Sequence, residues 1–329
     1  AKPSADRLEA LLERHKAGLG SCADGDVYLK IAQGLAAQGR QERAKPVLAK
    51  LAACPGADFG VRLGALYDLA SLTSPDIARD HLRRLKDGAR GLSVKQQAAL
   101  DELSLTLDRR EMGQEGLANA RRVELARSIL AASPKDPDAM AVLAWDDLSS
   151  GRHAKALEAF DALAARFPER PDAQLGRGYA LYQLGRLDDA LAVAGPGAAS
   201  GDQAMRELAY RVHVRKAFAA LEAKDYAQAR AETAKARALW PEGGEVREVE
   251  AWAALAEGDN AKAREFFEER YKATSDKRFL SPLATTLAAS GRRVEAFEAA
   301  SKLAAEPDPQ ARKEAARFYQ EQKAPMLAA

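Results

Sequence analysis

Apolar positions in this chain recur three and four residues apart, the spacing of one helix face, in blocks separated by short polar turns. In the first block Leu8, Leu11 and Leu12 share one face while Asp6, Glu9 and Glu13 share another, which predicts a helix from Ser4 to Ala17. Gly18 to Gly25 breaks it. A helical hairpin is predicted at 25–38 and 41–53 and a second over 60–88. Helices at 94–110 and 118–132 flank a longer turn, Met112-Gly113-Gln114-Glu115-Gly116. Hairpins follow at 137–170, 171–199, 210–243, 244–276 and 277–307, and a last helix at 308–322 carries charge all round and caps the array.

The blocks repeat. The turn Ser150-Gly151-Arg152 returns as Leu184-Gly185-Arg186, 34 residues on, and an alanine stands five residues after each glycine, Ala156 and Ala190. The same pairing recurs at Gly39 with Ala44, Lys224 with Ala229, Gly258 with Ala263 and Gly291 with Ala296. The unit at 60–88 lacks the turn glycine, yet Ala78 falls 34 residues after Ala44 and keeps the register. A fixed period of this size means a solenoid whose repeats each pack on their neighbours. The alanines belong where two helices cross closely, and the glycines take the left-handed backbone that ends a helix. Phe160 and Phe267 fill the space between units, and Pro168 and Pro241 stop helices.

Leu143, Gly151, Ala156, Phe160 and Pro168, followed by Gly178, Tyr182, Gly185 and Ala190, resemble the signature of the tetratricopeptide repeat (TPR) family. The resemblance covers roughly residues 25 to 320 and implies an all-α, right-handed superhelix of about eight helical hairpins. By repeat regularity the chain divides into degenerate units at 1–136, two well-formed repeats at 137–200, and further repeats with the capping helix at 201–329. Gly195-Pro196-Gly197-Ala198-Ala199-Ser200-Gly201 stretches the period from 34 to 39 and is expected to be a loop or hinge.

Composition narrows the function. With 50 basic and 48 acidic residues the net charge is +2, and no clustered basic surface calls for nucleic acid. No stretch approaches the roughly 18 apolar residues of a membrane span. The start at Ala1, without Met, suggests a processed or cut chain. His15, His81, His153 and His213 sit in different repeats, none at metal-ligand spacing, and read as surface helix residues. Asp146-Asp147 and Asp188-Asp189 are adjacent in helices and point about 100° apart, so neither is an acid/base pair. No nucleophile elbow, phosphate loop or zinc protease motif is present. The expectation is a non-catalytic protein with no cofactor and no metal.

Two features carry function. Cys22 precedes the first helix of the first hairpin and Cys54 follows its second, and antiparallel helices of similar length bring those ends together. A disulfide between them would imply an oxidising compartment, while two unrelated thiols would not. Six residues before successive turns stand Trp145, Tyr179, Phe218 and Trp252, with Tyr182, Leu221 and Leu255 one helical turn further along. In TPR proteins that position looks into the concave groove. The ladder is either inter-helix packing or a binding surface for an apolar peptide or for sugar rings, flanked by mixed charge at Asp138, Asp172, Arg211, Glu245, Glu248 and Arg278.

In style the chain also resembles the bacterial periplasmic TPR segments that precede outer-membrane porins for cellulose and similar polymers. That resemblance implies a periplasmic module assisting assembly or passage of an exopolysaccharide, with a protein or polysaccharide in the groove. A peptide-binding adaptor or chaperone for pilus, envelope or secretion assembly, and a cytoplasmic regulator, are the alternatives.

Overall fold

The glycines at the repeat turns set the frame. The structure is a computed structural model and describes residues 4–14, 22, 24–241 and 243–322. In it Gly39, Gly151, Gly185, Gly258 and Gly291 all have φ between +76° and +87°, a region that side chains with a Cβ rarely enter. Lys224 takes the same role with φ +60° and no glycine. Each turn ends one helix and starts the next within four residues. The described residues therefore form eighteen α-helices, with no strand among them.

The chain packs as two compact units, Ala1–Ser149 and Ser150–Ala329. The first holds α1 (Ala5–Arg14), α2 (Gly25–Ala37), α3 (Gln41–Ala53), α4 (Phe59–Leu72), α5 (Pro75–Gly88), α6 (Val94–Met112), α7 (Asn119–Ala132) and α8 (Pro137–Ser149). The second holds α9 (His153–Arg166), α10 (Pro171–Gln183), α11 (Leu187–Ala199), α12 (Gln203–Glu222), α13 (Tyr226–Leu239), α14 (Gly244–Glu257) and α15 (Asn260–Thr274). A short 3-10 turn (Lys277–Phe279) then leads into α16 (Leu280–Ala289), α17 (Arg293–Ala304) and α18 (Pro309–Glu321). Residues 15–17 of the predicted first helix, His15, and most of the Gly18–Gly25 break lie outside the described residues.

Packing follows the repeat. Ala44, Ala78, Ala156, Ala190, Ala229, Ala263 and Ala296 are all completely buried, as the crossing of two helices at a small residue requires. First helices of successive hairpins also touch: α2 on α4, α10 on α12, and α12 on α14. Phe160 is fully buried against Gly176, where any Cβ would collide with the ring. Gly178 admits Leu208 in the same way, one repeat on. Phe267 is fully buried and meets Trp252 edge to face at 5.0 Å.

Two expectations are corrected. Residues 195–199 are not a loop: they finish α11, which runs without a break to Ala199 and ends at Gly201 with φ +92°. Pro196 inside the helix forfeits one backbone hydrogen bond, and Gly197 gives room for Met205 of α12. The longer period is absorbed instead by α12, 20 residues against 13 in α10. The described histidines are half-buried rather than surface residues. His213 Nδ1 lies 2.6 Å from Oε2 of Glu232, a carboxylate only 1% exposed. Acids adjacent in sequence part company: Asp147 is buried while Asp146 is half-exposed, because neighbouring positions on a helix face different ways.

Candidate functional site: a groove on the first-helix face

Cys22 and Cys54 are joined as a disulfide, with Cα atoms 6.5 Å apart, inside the range such a bond spans. It ties the start of α2 to the end of α3. Cys22 itself has φ +58°.

The ladder residues divide by environment. Trp145 is half-buried on α8 in the first unit. Tyr179, Tyr182, Phe218 and Trp252 are half-buried in the second. The Arg215 guanidinium lies over the Tyr182 ring, 5.1 Å from its centroid, and donates to the Tyr182 carbonyl at 2.6 Å. Tyr179 stands by the Arg211–Glu207 ion pair, and burial together with the Glu207 charge holds its phenol above the usual range.

Phe218 and Trp252 come together at one groove. Phe218 packs on the cluster of Tyr210, Val214, Ala236 and Val246, and Trp252 on Phe267, so each ring is part core and part surface. Between them opens a cavity of about 430 Å³ floored by Phe218, Leu221, Trp252, Ala256 and Phe279 and rimmed by Glu222, Glu248 and Arg278. The Arg278 guanidinium lies over the Phe279 ring at 5.4 Å and hydrogen-bonds Asp276 at 2.9 Å. That bond raises the guanidinium and lowers the carboxyl.

Trp252 and Arg278 also line a second cavity, about 720 Å³, whose far wall is α18. Thr285 lies on its floor, six residues before Gly291, where the ladder would next place an aromatic ring. The smaller side chain leaves the space open. Polar groups share this half with apolar surface: Lys277, Ser281, Gln310, Glu314 and Arg317 stand beside Leu255, Pro282 and Leu303. No histidine or cysteine lines either cavity, so the lining offers contacts for binding and no thiol or imidazole. Among the described residues no group of acids, histidines or cysteines has a metal-binding arrangement. No described helix is long and apolar enough to cross a membrane.

The periodicity exposes Phe218, Leu221, Trp252, Glu248 and Arg278. It does not expose Phe279, which sits in a 3-10 turn with no counterpart in other repeats, nor the α18 wall. A further cavity of about 580 Å³, lined by Asp161, Gln174, Arg177, Val193 and Pro196, lies on the opposite face of α10 from Tyr179 and had no sequence signal.

Residues 141–195 and 214–277, which hold the ladder and the first cavity's α12 and α14 sides, match the sequence model of the tetratricopeptide repeat family. Those two stretches carry tetratricopeptide repeats. Their fold is that of a protein–protein interaction scaffold. Solved structures similar to this chain include the TPR domain of P58(IPK), at 16% identity and TM-score 0.38, covering 97% of this chain and 93% of that one. The Cut9–Hcn1 hetero-tetramer of APC/C is similar at 12% identity and TM-score 0.44, covering 98% and 77%. A TPR protein from Parabacteroides merdae is similar at 13% identity and TM-score 0.43, covering 71% and 86%. No curated protein matches the chain in sequence.

Proposed function

We propose that this TPR chain is a non-catalytic adaptor that takes a segment of a partner protein into the groove between Phe218 and α18, and that it works in an oxidising compartment such as the periplasm. The observation that carries the first part is the groove itself: half-exposed Phe218 and Trp252 over an apolar floor, continuous at Trp252 and Arg278 with a trough where polar and apolar groups mix. An amphipathic segment matches that division, apolar side chains on the rings and polar ones in the trough. The Cys22–Cys54 bond supports the compartment, since such bonds persist where thiols are not kept reduced. Assembly of a pilus, envelope or secretion machine is the setting these two features suit.

The same rings could pack the C–H faces of sugars, as passage of an exopolysaccharide would need. One titration separates the readings. Trp145→Phe and Trp240→Phe leave Trp252 as the sole reporter. Its emission is expected to shift with an amphipathic peptide and to stay still with glucan or N-acetylglucosamine oligomers. A shift with sugar alone would replace the adaptor with the export module. Millimolar binding corresponds to only about −4 kcal/mol, so both titrations must reach high concentration.

A further inference from the structure

The charge of the groove is opposite in sign to that of the chain. The two joined cavities are lined by Glu222, Glu248, Glu306, Asp308, Glu314 and Glu321 against Lys277, Arg278 and Arg317, in a protein of net charge +2. The three cations are already engaged. Lys277 pairs with Glu306, Arg317 with Glu321, and Arg278 with Asp276. Asp308 caps α18 by accepting from the backbone of Gln310 and Ala311. Glu314 accepts only from the Gln310 amide, at 3.2 Å. Glu222 and Glu248, at the rim of the apolar floor, form no salt bridge or hydrogen bond with any described residue; Glu248 acts on Arg278 only through space. Carboxylates held beside aromatic rings and left without cations are poised for cations from outside.

We infer that the groove selects a basic amphipathic segment of its partner: apolar side chains seated on Phe218, Leu221 and Trp252, with lysine or arginine reaching Glu222, Glu248 and Glu314. This rests on the adaptor reading and adds the partner's chemistry. An acidic segment would place like charges against Glu222 and Glu248 in a partly desolvated site, which opposes binding. A polar basic segment would meet the carboxylates but leave the apolar floor wet. The chain as a whole is weakly cationic, so long-range attraction alone does not recruit a basic partner; the local field of the groove does.

Isothermal titration calorimetry with three peptides of about fourteen residues, roughly four helical turns, tests it. One alternates leucine faces with lysine, the second replaces lysine by glutamate, and the third replaces leucine by serine. The leucine/lysine peptide is expected to bind roughly tenfold or more tightly than either other, with affinity falling as salt is raised. Glu222→Gln with Glu248→Gln, both at the rim and away from the core, should weaken it by about three- to tenfold while circular dichroism stays unchanged. Equal binding of the leucine/glutamate peptide, or an unchanged affinity in the double variant, overturns the charge selection and leaves the adaptor reading standing. Equal binding of the serine/lysine peptide reduces the site to ionic attraction, and no binding of any peptide removes the adaptor reading as well.

Discussion

The two units obey one rule of stacking and hold themselves together by different chemistry. In both, the repeat alanines vanish from the surface, Ala44 and Ala78 in the first unit as completely as Ala156 and Ala263 in the second. Around that shared seam the first unit uses a covalent tie and charge. Cys22–Cys54 clips α2 to α3. Arg79 meets Asp108 at 2.8 Å and also pairs with Glu111, and Arg121 meets Glu111 at 2.8 Å, linking α5, α6 and α7. The second unit leans on rings and glycines: Phe160 on Gly176, Leu208 on Gly178, and the cluster of Trp252, Phe266, Phe267 and Phe279. Among its described residues the buried acid is Glu232, held by Lys235, His213 and Gln228. A repeat period therefore fixes only the closest approach of two helices. What fills the remaining space is open, and that choice decides whether a unit responds to redox or mainly to packing.

The sharpest way to break the comparison is at Phe160. Phe160→Ala is expected to cost roughly 3 to 5 kcal/mol, as a large-to-small change at a fully buried site. Gly176→Ala should also destabilise strongly, because its Cβ falls within the Phe160 ring. The double variant should cost less than the sum of the two singles, since removing the ring vacates the space the methyl needs. Thermal unfolding of all three closes the cycle. Strict additivity would mean that Phe160 and Gly176 do not fit together as described.

Next comes the disulfide. Cys22→Ala with Cys54→Ala should cost about 3 to 4 kcal/mol by the loop-entropy relation, for a sequence separation of 32. The loss should fall on the first unit, read as faster hydrogen exchange in α2 and α3 with α12 to α16 unchanged. Two free thiols in the denatured, unreduced protein isolated from an oxidising compartment would remove the bond altogether.

Acid should then act on both units, through different carboxylates. The hydrogen bond from Arg121, opposed by burial and aided by the Arg79 charge, holds the Glu111 carboxyl below its ordinary 4.5. A carboxyl depressed in the folded state stabilises fully above about 4.5 and loses that contribution as pH falls through the lower folded value. Glu111→Gln at neutral pH should cost about 1.5 kcal/mol, because Arg79 and Arg121 lose the carboxylate they share but keep Asp108 and Glu124. It should also flatten the acid limb of the melting curve for the first unit. In the second unit burial alone would raise Glu232, but hydrogen bonds from Lys235 and His213 outweigh it and leave that carboxyl lowered too. An acid limb that survives Glu111→Gln intact would move the sensitivity to Glu232.

These contrasts mark what the sequence could reveal. The seam alanines, the turn glycines and the ends of most helices follow from a spacing of 34, because each is dictated by one local requirement repeated along the chain. The α11 segment misled because Gly, Pro and Gly in three consecutive residues read as a break. Tertiary packing of Met205 on Gly197 and a C-terminal stop at Gly201 keep it helical. The buried network of Arg79, Asp108, Glu111 and Arg121 left no trace, since charges on a helix look alike whether a neighbouring helix covers them or water does. At the site, Phe218 and Trp252 were legible as a ladder. Phe279 and α18 were not, because they enter where the repeat ends.

The smallest expected effect sits at Lys224, a left-handed turn residue where most of these turns have glycine. Lys224 holds φ +60° where Gly185 and Gly258 hold +76° and +87°, while its N–H still bonds the Leu221 carbonyl at 2.9 Å and Asp225 still caps α13 through the backbone of Gln228. A side chain in the left-handed region costs roughly 1 to 2 kcal/mol, and a glycine placed there escapes that cost but adds freedom to the unfolded chain of about 0.5 to 1 kcal/mol. Lys224→Gly should therefore stabilise by roughly 0.5 kcal/mol, and Lys224→Asn should fall between the two, since asparagine tolerates this backbone. The converse, Gly185→Ala, should destabilise by about 1 kcal/mol because it imports the strain that Lys224 carries. Chemical denaturation with a constant slope across the series reads all three. If Lys224→Gly were instead destabilising by as much as Gly185→Ala, the backbone would not be what distinguishes this turn, and contacts of the lysine stem would have to hold α12 to α13.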